Sequence, residues 1–413
     1  MRFVFFGMND FSHEGGGTIR MLGILNELAA SGHEVVFISN VQAPEKLAAF
    51  HPSISHVYLS YLFSRQDKRI FQGLLGLLPV FLFTLLYARF FKRLKTVMAP
   101  YQTADSVYFF EYLDNSIGYW LFQKGLIRGY VNDLHGVATL EFKFQAQLAT
   151  GLLQRIRFYI KYWVSNQLDC KVFTKAHGLI FASKAMQQYF EQQYPAVSVK
   201  KNYILPYVLS SGACDSPVDL VLREQLVTQL GILPQQRVVL FAGAFKKTGG
   251  VPDLIAAFAS VSREHSDLRL LLVGDGPTYA ECQEAVRHYG LESVVTFIGR
   301  IPYTHLRTYQ DLAHVIVCPD KQNVYSELIV HVKYLDALIS GKVVINGSFK
   351  SVVELNPDDF LSLTFTPSDV SHLATQLSYA LTHLEALQKR YAGTPAYVCE
   401  SLTYASHVTV LSS

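Results

Sequence analysis

Charge is scarce in this chain. Of its 413 residues only 17% are charged, while 50% are hydrophobic and 13% aromatic. Such a composition excludes a disordered tail and requires large buried cores. A basic excess is lacking too: 36 Lys and Arg face 33 Asp and Glu, a net charge of +3. That argues against nucleic acid as a partner, because binding driven by bulk charge needs a strong positive balance. Cysteine is sparse. Cys170, Cys214, Cys282, Cys318 and Cys399 form no CxxC pair and have no metal-ligand spacing with histidine, so neither a zinc site nor a disulfide framework is expected. The odd count fits a reducing compartment. No repeat of solenoid period and no low-complexity tract is evident. No Asp-x-Asp cluster stands in a suitable loop, so no obligatory divalent metal is expected.

Length favours two domains, since single cores rarely grow beyond roughly 250–300 residues. The first residues, Met1-Arg-Phe-Val-Phe-Phe-Gly7, reach Asn9 and Asp10 after an apolar run too short for a signal-peptide core. They read as a first β-strand. A glycine-rich turn, His13-Glu-Gly-Gly-Gly17, leads into a helical pattern over 18–31, whose apolar stripe is Met21, Leu22, Leu25, Leu28 and Ala29. A strand at 33–38 follows, and short strand patterns recur at 106–110, 129–132, 178–182 and 203–206. Strand, helix and strand in this order make right-handed parallel units. A second series of strands at 237–243, 268–273, 294–297, 315–318 and 342–345 alternates with helices at 251–265, 279–289, 303–313, 330–340 and 367–384. The expected fold class is therefore α/β, two doubly wound, Rossmann-like parallel-sheet domains facing a cleft. The expected boundaries are 1–207, a linker and helix at 208–236, a second domain at 237–395, and a last helical segment within 396–413 that crosses back to the first domain.

One apolar run stands out. Residues 70–91 read IFQGLLGLLPVFLFTLLYARFF, with Lys68 and Arg69 before them and Arg89, Lys92, Arg93 and Lys95 at or beyond the end. By length alone this run spans a bilayer, yet both flanks are basic, and strands that the first domain needs follow it. A helix lying in a membrane interface is the better expectation, with a plain buried helix as the alternative. Residues 152–164 mix Arg155, Arg157 and Lys161 with Phe158, Tyr159, Tyr162 and Trp163 at helical spacing. This is the pattern of a second interfacial helix, or of a core helix with a solvated basic edge.

Several loops carry candidate chemistry. Gly15-Gly16-Gly17 opens the first helix, where backbone N–H groups and the helix dipole can receive an anion. Gly243-Ala-Phe-Lys246-Lys247-Thr-Gly249-Gly250 joins a strand to a helix, and its two lysines are placed to neutralise a diphosphate as point charges. Lys333 and Asp336 sit three apart at the start of a helix, on one face. A carboxylate there can accept from ribose hydroxyls and a lysine can meet phosphate; taken alone the two also form the pattern of a surface ion pair. His135, in Asn132-Asp-Leu-His-Gly136, lies at the carboxyl edge of a strand, where open α/β folds bind ligands.

In order and spacing these segments resemble the retaining GT-B glycosyltransferases of family four, which use nucleotide-sugar donors. The resemblance rests on the strand–GGG–helix with Ser31-Gly-His-Glu-Val35, on Val131-Asn-Asp-Leu-His-Gly136, and on Ile180-Phe-Ala-Ser183. It continues through Ile204-Leu-Pro206, Phe241-Ala-Gly243, Leu270-Leu-Leu-Val-Gly-Asp-Gly-Pro277, Val295-Thr-Phe-Ile-Gly-Arg-Ile-Pro302 and Lys333-Tyr-Leu-Asp-Ala-Leu-Ile-Ser-Gly-Lys-Val-Val344. It implies that Gly16, Gly17 and Gly243 lie beside the donor diphosphate, that His135 lies near the transferred sugar, and that Arg300 and Ile301 flank the nucleobase. Asp336 matches the second carboxylate of a paired-glutamate motif that holds the ribose. The first glutamate of that motif falls on Leu328, one place from Glu327. Glu327 either takes over near the sugar or the contact is absent.

The function so implied is transfer of a sugar, with retention of configuration, from a nucleotide-diphosphate sugar to a saccharide or polyprenyl-linked acceptor. Lys246, Lys247 and Lys333 would stabilise the departing diphosphate, with no cofactor. The setting implied is synthesis of cell-surface polysaccharide or glycolipid in the cytoplasm, with peripheral contact to the inner face of the plasma membrane through residues 70–95 and 152–164. Two alternatives remain: a sugar-nucleotide epimerase of the same fold, and a degenerate nucleotide-sugar-binding protein.

Overall fold

In the computed structural model, which describes residues 1–7, 16–41, 49–59 and 65–411, the chain divides into two units. One comprises Met1–Tyr207 with His407–Ser413, the other Val208–Ser406.

The first unit holds a wholly parallel sheet of seven strands: β1 (Arg2–Gly7), β2 (Glu34–Ser39), β3 (Ser55–Tyr58), β4 (Ser106–Glu111), β5 (Val131–Leu134), β6 (Gly178–Phe181) and β7 (Lys201–Ile204). Their spatial order is β3-β2-β1-β4-β5-β6-β7. The central strands are near-continuous apolar runs because both faces of a parallel sheet are covered. Phe3, Phe6 and Phe37 are buried, and the Phe5 ring stacks on Phe109 across β1 and β4. The helix Gly16–Ala30 buries Ile24, Leu25 and Leu28, each worth about 1.5–3 kcal/mol when fully removed from water.

The second unit holds six parallel strands: β8 (Arg237–Ala242), β9 (Leu268–Val273), β10 (Val295–Gly299), β11 (Val315–Cys318), β12 (Val343–Gly347) and β13 (Leu363–Phe365). They lie in the order β10-β9-β8-β11-β12-β13. Helices Val251–Val261, Tyr279–Tyr289 and Val370–Thr382 pack together over the core formed by Val239, Phe241, Leu270 and Ile345. In each unit the strand order reverses at one point, between β1 and β4 and between β8 and β11, and the carboxyl ends at such a switch point are where open α/β sheets bind ligands.

Three details differ from the expectations. The edge strands β3 and β13 were not foreseen. The first is half-exposed and the second only three residues long, so neither carries a continuous apolar run. Residues 70–91 are not one helix but parts of three, Arg65–Leu75, Val80–Leu86 and Ala88–Met98. Pro79 stands at the break as the residue before the second of these helices, in extended conformation, and proline cannot continue a helix through its missing N–H. Among the described residues no helix is long and apolar enough to cross a membrane. The third correction concerns cysteine: Cys214 and Cys399 form a disulfide across 185 residues of chain. Local spacing cannot reveal such a pair. The disulfide sits beside the parallel bridge Leu209–Thr403 and the bond from Leu209 N to Leu402 O, so it closes the second unit where its chain enters and leaves.

Candidate functional site

The site of the first unit is built at its switch point. β4 ends on Glu111, β5 leads through Leu134 to His135, and the helix after β1 begins at Gly16. Gly15 lies outside the described residues; Gly16 and Gly17 are the first residues of that helix. A Cβ on Gly17 would stand 3.2 Å from His135 Nε2 and 3.5 Å from Glu111 Oε1. The glycine therefore lets the helix N-terminus close on the histidine, so the structure brings Gly17 and His135 together.

His135 lies between two carboxylates, with Nε2 at 3.2 Å from Glu111 Oε1 and Nδ1 at 3.3 Å from Asp133 Oδ2. Burial pushes its pKa down, but hydrogen bonds to Asp133 and Glu111 and their charges overcome this and raise it to about 9. At neutral pH the ring is thus an imidazolium, a fixed cation beside a helix N-terminus. Behind it Arg20, fully buried, grips Asp133 through Nε at 2.8 Å and Nη2 at 2.7 Å and donates through Nη1 to Pro206 O at 3.0 Å. Burial alone would raise the Asp133 carboxyl, yet Arg20 and then His135 hold it well below the usual carboxylate range. The Tyr207 hydroxyl donates to His135 O at 3.3 Å.

Sequence reasoning singled out His135 and missed Arg20, Glu111 and Tyr207. A signal for Arg20 exists. It falls on the i, i+4, i+8 stripe with Ile24 and Leu28, where a charge among apolar residues demands a buried partner.

The site of the second unit also surrounds its switch point, between the loop after β8 and the loop after β11. The two loops interlock. A Cβ on Gly250, which has φ of +65°, would stand only 1.7 Å from Pro319 O, and Lys321 bonds Asp253 through Nζ at 2.8 Å and Thr248 O through its N–H at 2.9 Å. Lys246 and Lys247 project from the first loop as exposed side chains.

The helix Val332–Leu338 carries Lys333 and Asp336. They do not pair with each other. Lys333 Nζ lies 2.8 Å from Asp320 Oδ1 and 5.3 Å from the centre of the Phe241 ring, and its stem passes Gly243, where a Cβ would meet Lys333 Cδ at 3.3 Å. Asp320 is buried. Burial would raise its pKa, but Lys333 and His331 keep it well below the usual carboxylate range. Its second oxygen stands 3.2 Å from His331 Nδ1. Asp336 turns instead to Tyr303, whose hydroxyl donates to Oδ1 at 2.7 Å. Burial lifts the Asp336 carboxyl to about 6, opposed by that hydrogen bond. Asp320, His331 and Tyr303 were missed in the sequence because they come from two separate connections, the first two from the one after β11 and Tyr303 from the one after β10.

The remaining candidates are placed as follows. Leu328 is buried. Glu327 accepts from Gln322 Nε2 and from the backbone N–H of Lys350, both at 2.7 Å, so its carboxylate serves the start of the helix Lys350–Leu355. Arg300 is largely exposed, with Nε 3.4 Å from Asp275 Oδ2, and Ile301 is half-buried beside it. Among the described residues no cluster of three His, Cys, Asp or Glu side chains is arranged to hold a metal ion.

Residues 236–383 match the family model described as Glycosyl transferases group 1. A curated relative is the N-acetyl-alpha-D-glucosaminyl L-malate synthase of Bacillus anthracis, 34% identical over 76 residues, which are 18% of this chain and 20% of that protein. Another is the alpha-D-kanosaminyltransferase of Streptomyces kanamyceticus, 23% identical over 251 residues, 60% of this chain and 61% of that protein. The chain thus spans about a fifth and about three fifths of the lengths of these two relatives. Among solved structures, Anabaena HepE in complex with UDP superimposes with a TM-score of 0.71 at 14% identity, covering 100% of this chain and 98% of that one.

Proposed function

We propose that this chain, which has the GT-B fold and whose residues 236–383 match the group 1 glycosyltransferase model, transfers a sugar from a nucleotide-diphosphate sugar to a saccharide or lipid-linked acceptor. The observation that carries this reading is the helix Val332–Leu338, which sets a lysine and a buried carboxylate at the switch point of the matched unit, each held by its own partner. HepE, of the same fold, is a UDP complex, which supports a nucleoside diphosphate as the group held there.

The reaction proposed is the one the family resemblance implies. The bond between the sugar's anomeric carbon and the diphosphate oxygen breaks, a bond to the acceptor oxygen forms on the same face, and the acceptor proton passes to the diphosphate. Stabilising the departing diphosphate needs fixed cations and N–H donors aimed at it. Lys333, Lys246 and Lys247 supply the cations, with Gly243 allowing close approach. In the first unit, Gly16 and Gly17 open a helix N-terminus beside the His135 imidazolium, a separate set of donors suited to anionic or polar atoms. Arg300 and Ile301 flank the base. No obligatory metal is invoked, because these cations carry the charge of the leaving group. Asp336→Ala is expected to raise the donor KM by roughly 10-fold, the loss of a hydrogen bond to a charged group. Lys247→Ala is expected to lower turnover; wild-type kinetics in both variants would sink the assignment.

The acceptor side of this reading is a membrane surface. The helix Val80–Leu86 exposes Phe81 and Leu85, 73% and 77% accessible, and the helix Leu152–Lys175 exposes Leu152, Leu153 and Trp163, the last 59% accessible. Arg155, Arg157 and Lys161 stand along the second of these helices, and Lys161 lies over the Phe142 and Phe158 rings. The helix Arg65–Leu75 packs against it, with Gly73 near Val164. Apolar side chains rimmed by cations fit an anionic lipid interface. In this reading a lipid-linked acceptor, as in polysaccharide or glycolipid synthesis, is met at the cytoplasmic face of the plasma membrane, and the exposed apolar side chains with their basic rim support it. The intact chain is expected to co-sediment with vesicles containing phosphatidylglycerol and much less with neutral ones. No binding to either would remove the membrane from the account.

A further inference from the structure

The Cys214–Cys399 disulfide joins the two segments by which the chain passes between its units. The chain enters the second unit at Val208 and leaves it after Ser406. Cys214 ends the short helix Ser211–Cys214 just inside the first crossing, and Cys399 lies on the helix Thr394–Ser401 just before the second. All of β8–β13 therefore lies inside the ring that the disulfide closes. Beside it the backbone bonds from Leu209 N to Leu402 O, at 2.9 Å, and from Tyr404 N to Leu209 O, at 3.0 Å, tie the same two segments.

The helix that carries Cys399 also backs the candidate donor site. It packs against the helix Val332–Leu338, which holds Lys333 and Asp336. Pro395, near its start, stands beside the end of that segment, where a Cβ on Gly341 would lie 3.6 Å from Pro395 Cγ.

The surroundings of the disulfide suit a reversible bond. Both of its cysteines are partly accessible, as attack by an external thiol requires. The other two cysteines of this unit, Cys282 and Cys318, are buried, and burial pushes their thiols up to about 11 and about 12. At neutral pH they stay protonated and do not compete in thiol–disulfide exchange, which needs a thiolate. In a reducing compartment, which the odd cysteine count fits, disulfides are transient and redox-sensing rather than permanent.

We infer that Cys214 and Cys399 form a redox latch: closed, it holds the helix Thr394–Ser401 against the helix Val332–Leu338, and opened by reduction it loosens both. Opening breaks the Sγ–Sγ bond. An external dithiol supplies two electrons and two protons, is itself oxidised to a disulfide, and leaves two cysteine thiols; a disulfide oxidant reverses the exchange. The inference goes beyond the nucleotide-sugar reading, and its test uses no nucleotide, so the two fail separately.

The test is hydrogen exchange of the full chain read by mass spectrometry, after air oxidation, after dithiothreitol and after re-oxidation with glutathione disulfide, with alkylation to assign each thiol. The oxidised chain is expected to yield a cross-linked peptide containing Cys214 and Cys399. Dithiothreitol without denaturant is expected to free both thiols and to cut amide protection over 394–404 roughly 30- to 1,000-fold, the worth of a native disulfide. A smaller loss is expected over 332–338, and re-oxidation restores both segments. Cys399→Ser should match the reduced wild type with or without dithiol, while Cys170→Ser should respond as wild type does. Absence of the cross-linked peptide, resistance of the bond to dithiothreitol in the folded chain, or unchanged exchange over 394–404 on reduction overturns the latch. Loss confined to 394–404 overturns its hold on the helix Val332–Leu338.

Discussion

Arg20→Ala is expected to cost the first unit about 3–5 kcal/mol, because it strips the largely buried Asp133 carboxylate of its guanidinium partner and leaves only His135 beside it. Arg20 is wholly inaccessible, makes three short contacts to Asp133 oxygens, and anchors Pro206 O. The guanidinium carbon also lies 5.3 Å from the centre of the Tyr207 ring, so its removal loosens the residue that bonds His135 O. Arg20→Lys keeps the charge but not the planar fork, and should fall between wild type and alanine. Denaturant unfolding of the intact chain reads the loss as a shifted midpoint of the first unit's transition; a shift worth under about 1 kcal/mol, the scale of an exposed pair, would contradict the assignment.

The same cluster fixes a pH dependence. Asp133 is depressed below its ordinary 3.8, so its contribution is present above that value and lost as pH falls further. His135 is raised from 6.5 to about 9, so its contribution is complete below 6.5 and is lost as pH rises through about 9. The first unit is therefore most stable between these limits. Its alkaline loss between about pH 6.5 and 9 should shrink in His135→Gln.

Lys333→Ala is expected to lower donor turnover by roughly 100- to 1,000-fold, as removal of one preorganised charge from a developing anion does. The ammonium is oriented by buried Asp320 and the stem is fixed between Phe241 and Gly243. Because the substitution also strips Asp320 of a partner, the variant loses stability, and turnover must be compared per folded molecule. Asp320→Asn with Lys333 retained separates the two effects: it keeps the cation but loosens it, and should give a smaller loss of turnover. Wild-type turnover in folded Lys333→Ala would remove the lysine from the chemistry.

Most of the fold was legible because both sheets are parallel. Their central strands are buried on two faces and read as apolar runs, and the glycine-rich turns mark where strands give way to helices. The edge strands β3 and β13 escaped because both are short, and β3 is half-exposed as well. Interactions that join distant segments were invisible to local spacing, as with the Cys214–Cys399 disulfide and the Tyr303–Asp336 bond. Lys333 and Asp336, three residues apart, looked like partners. In the structure each is held by a residue from another loop, Lys333 by the buried Asp320 and the buried Asp336 by the Tyr303 hydroxyl. Glu327 could be found by proximity to the glutamate motif, but its engagement by the Lys350 N–H depends on where a later helix starts.

The central claim is sugar transfer from a nucleotide-diphosphate donor, and product analysis tests it most directly. The intact chain is incubated with a set of nucleotide sugars, with and without saccharide and polyprenyl-linked acceptors, and the products are resolved by NMR. The account predicts release of nucleoside diphosphate in step with a new glycoside that keeps the donor's anomeric configuration, only when an acceptor is present. An altered nucleotide sugar formed without acceptor, or nucleotide binding with no product under any combination, would contradict it.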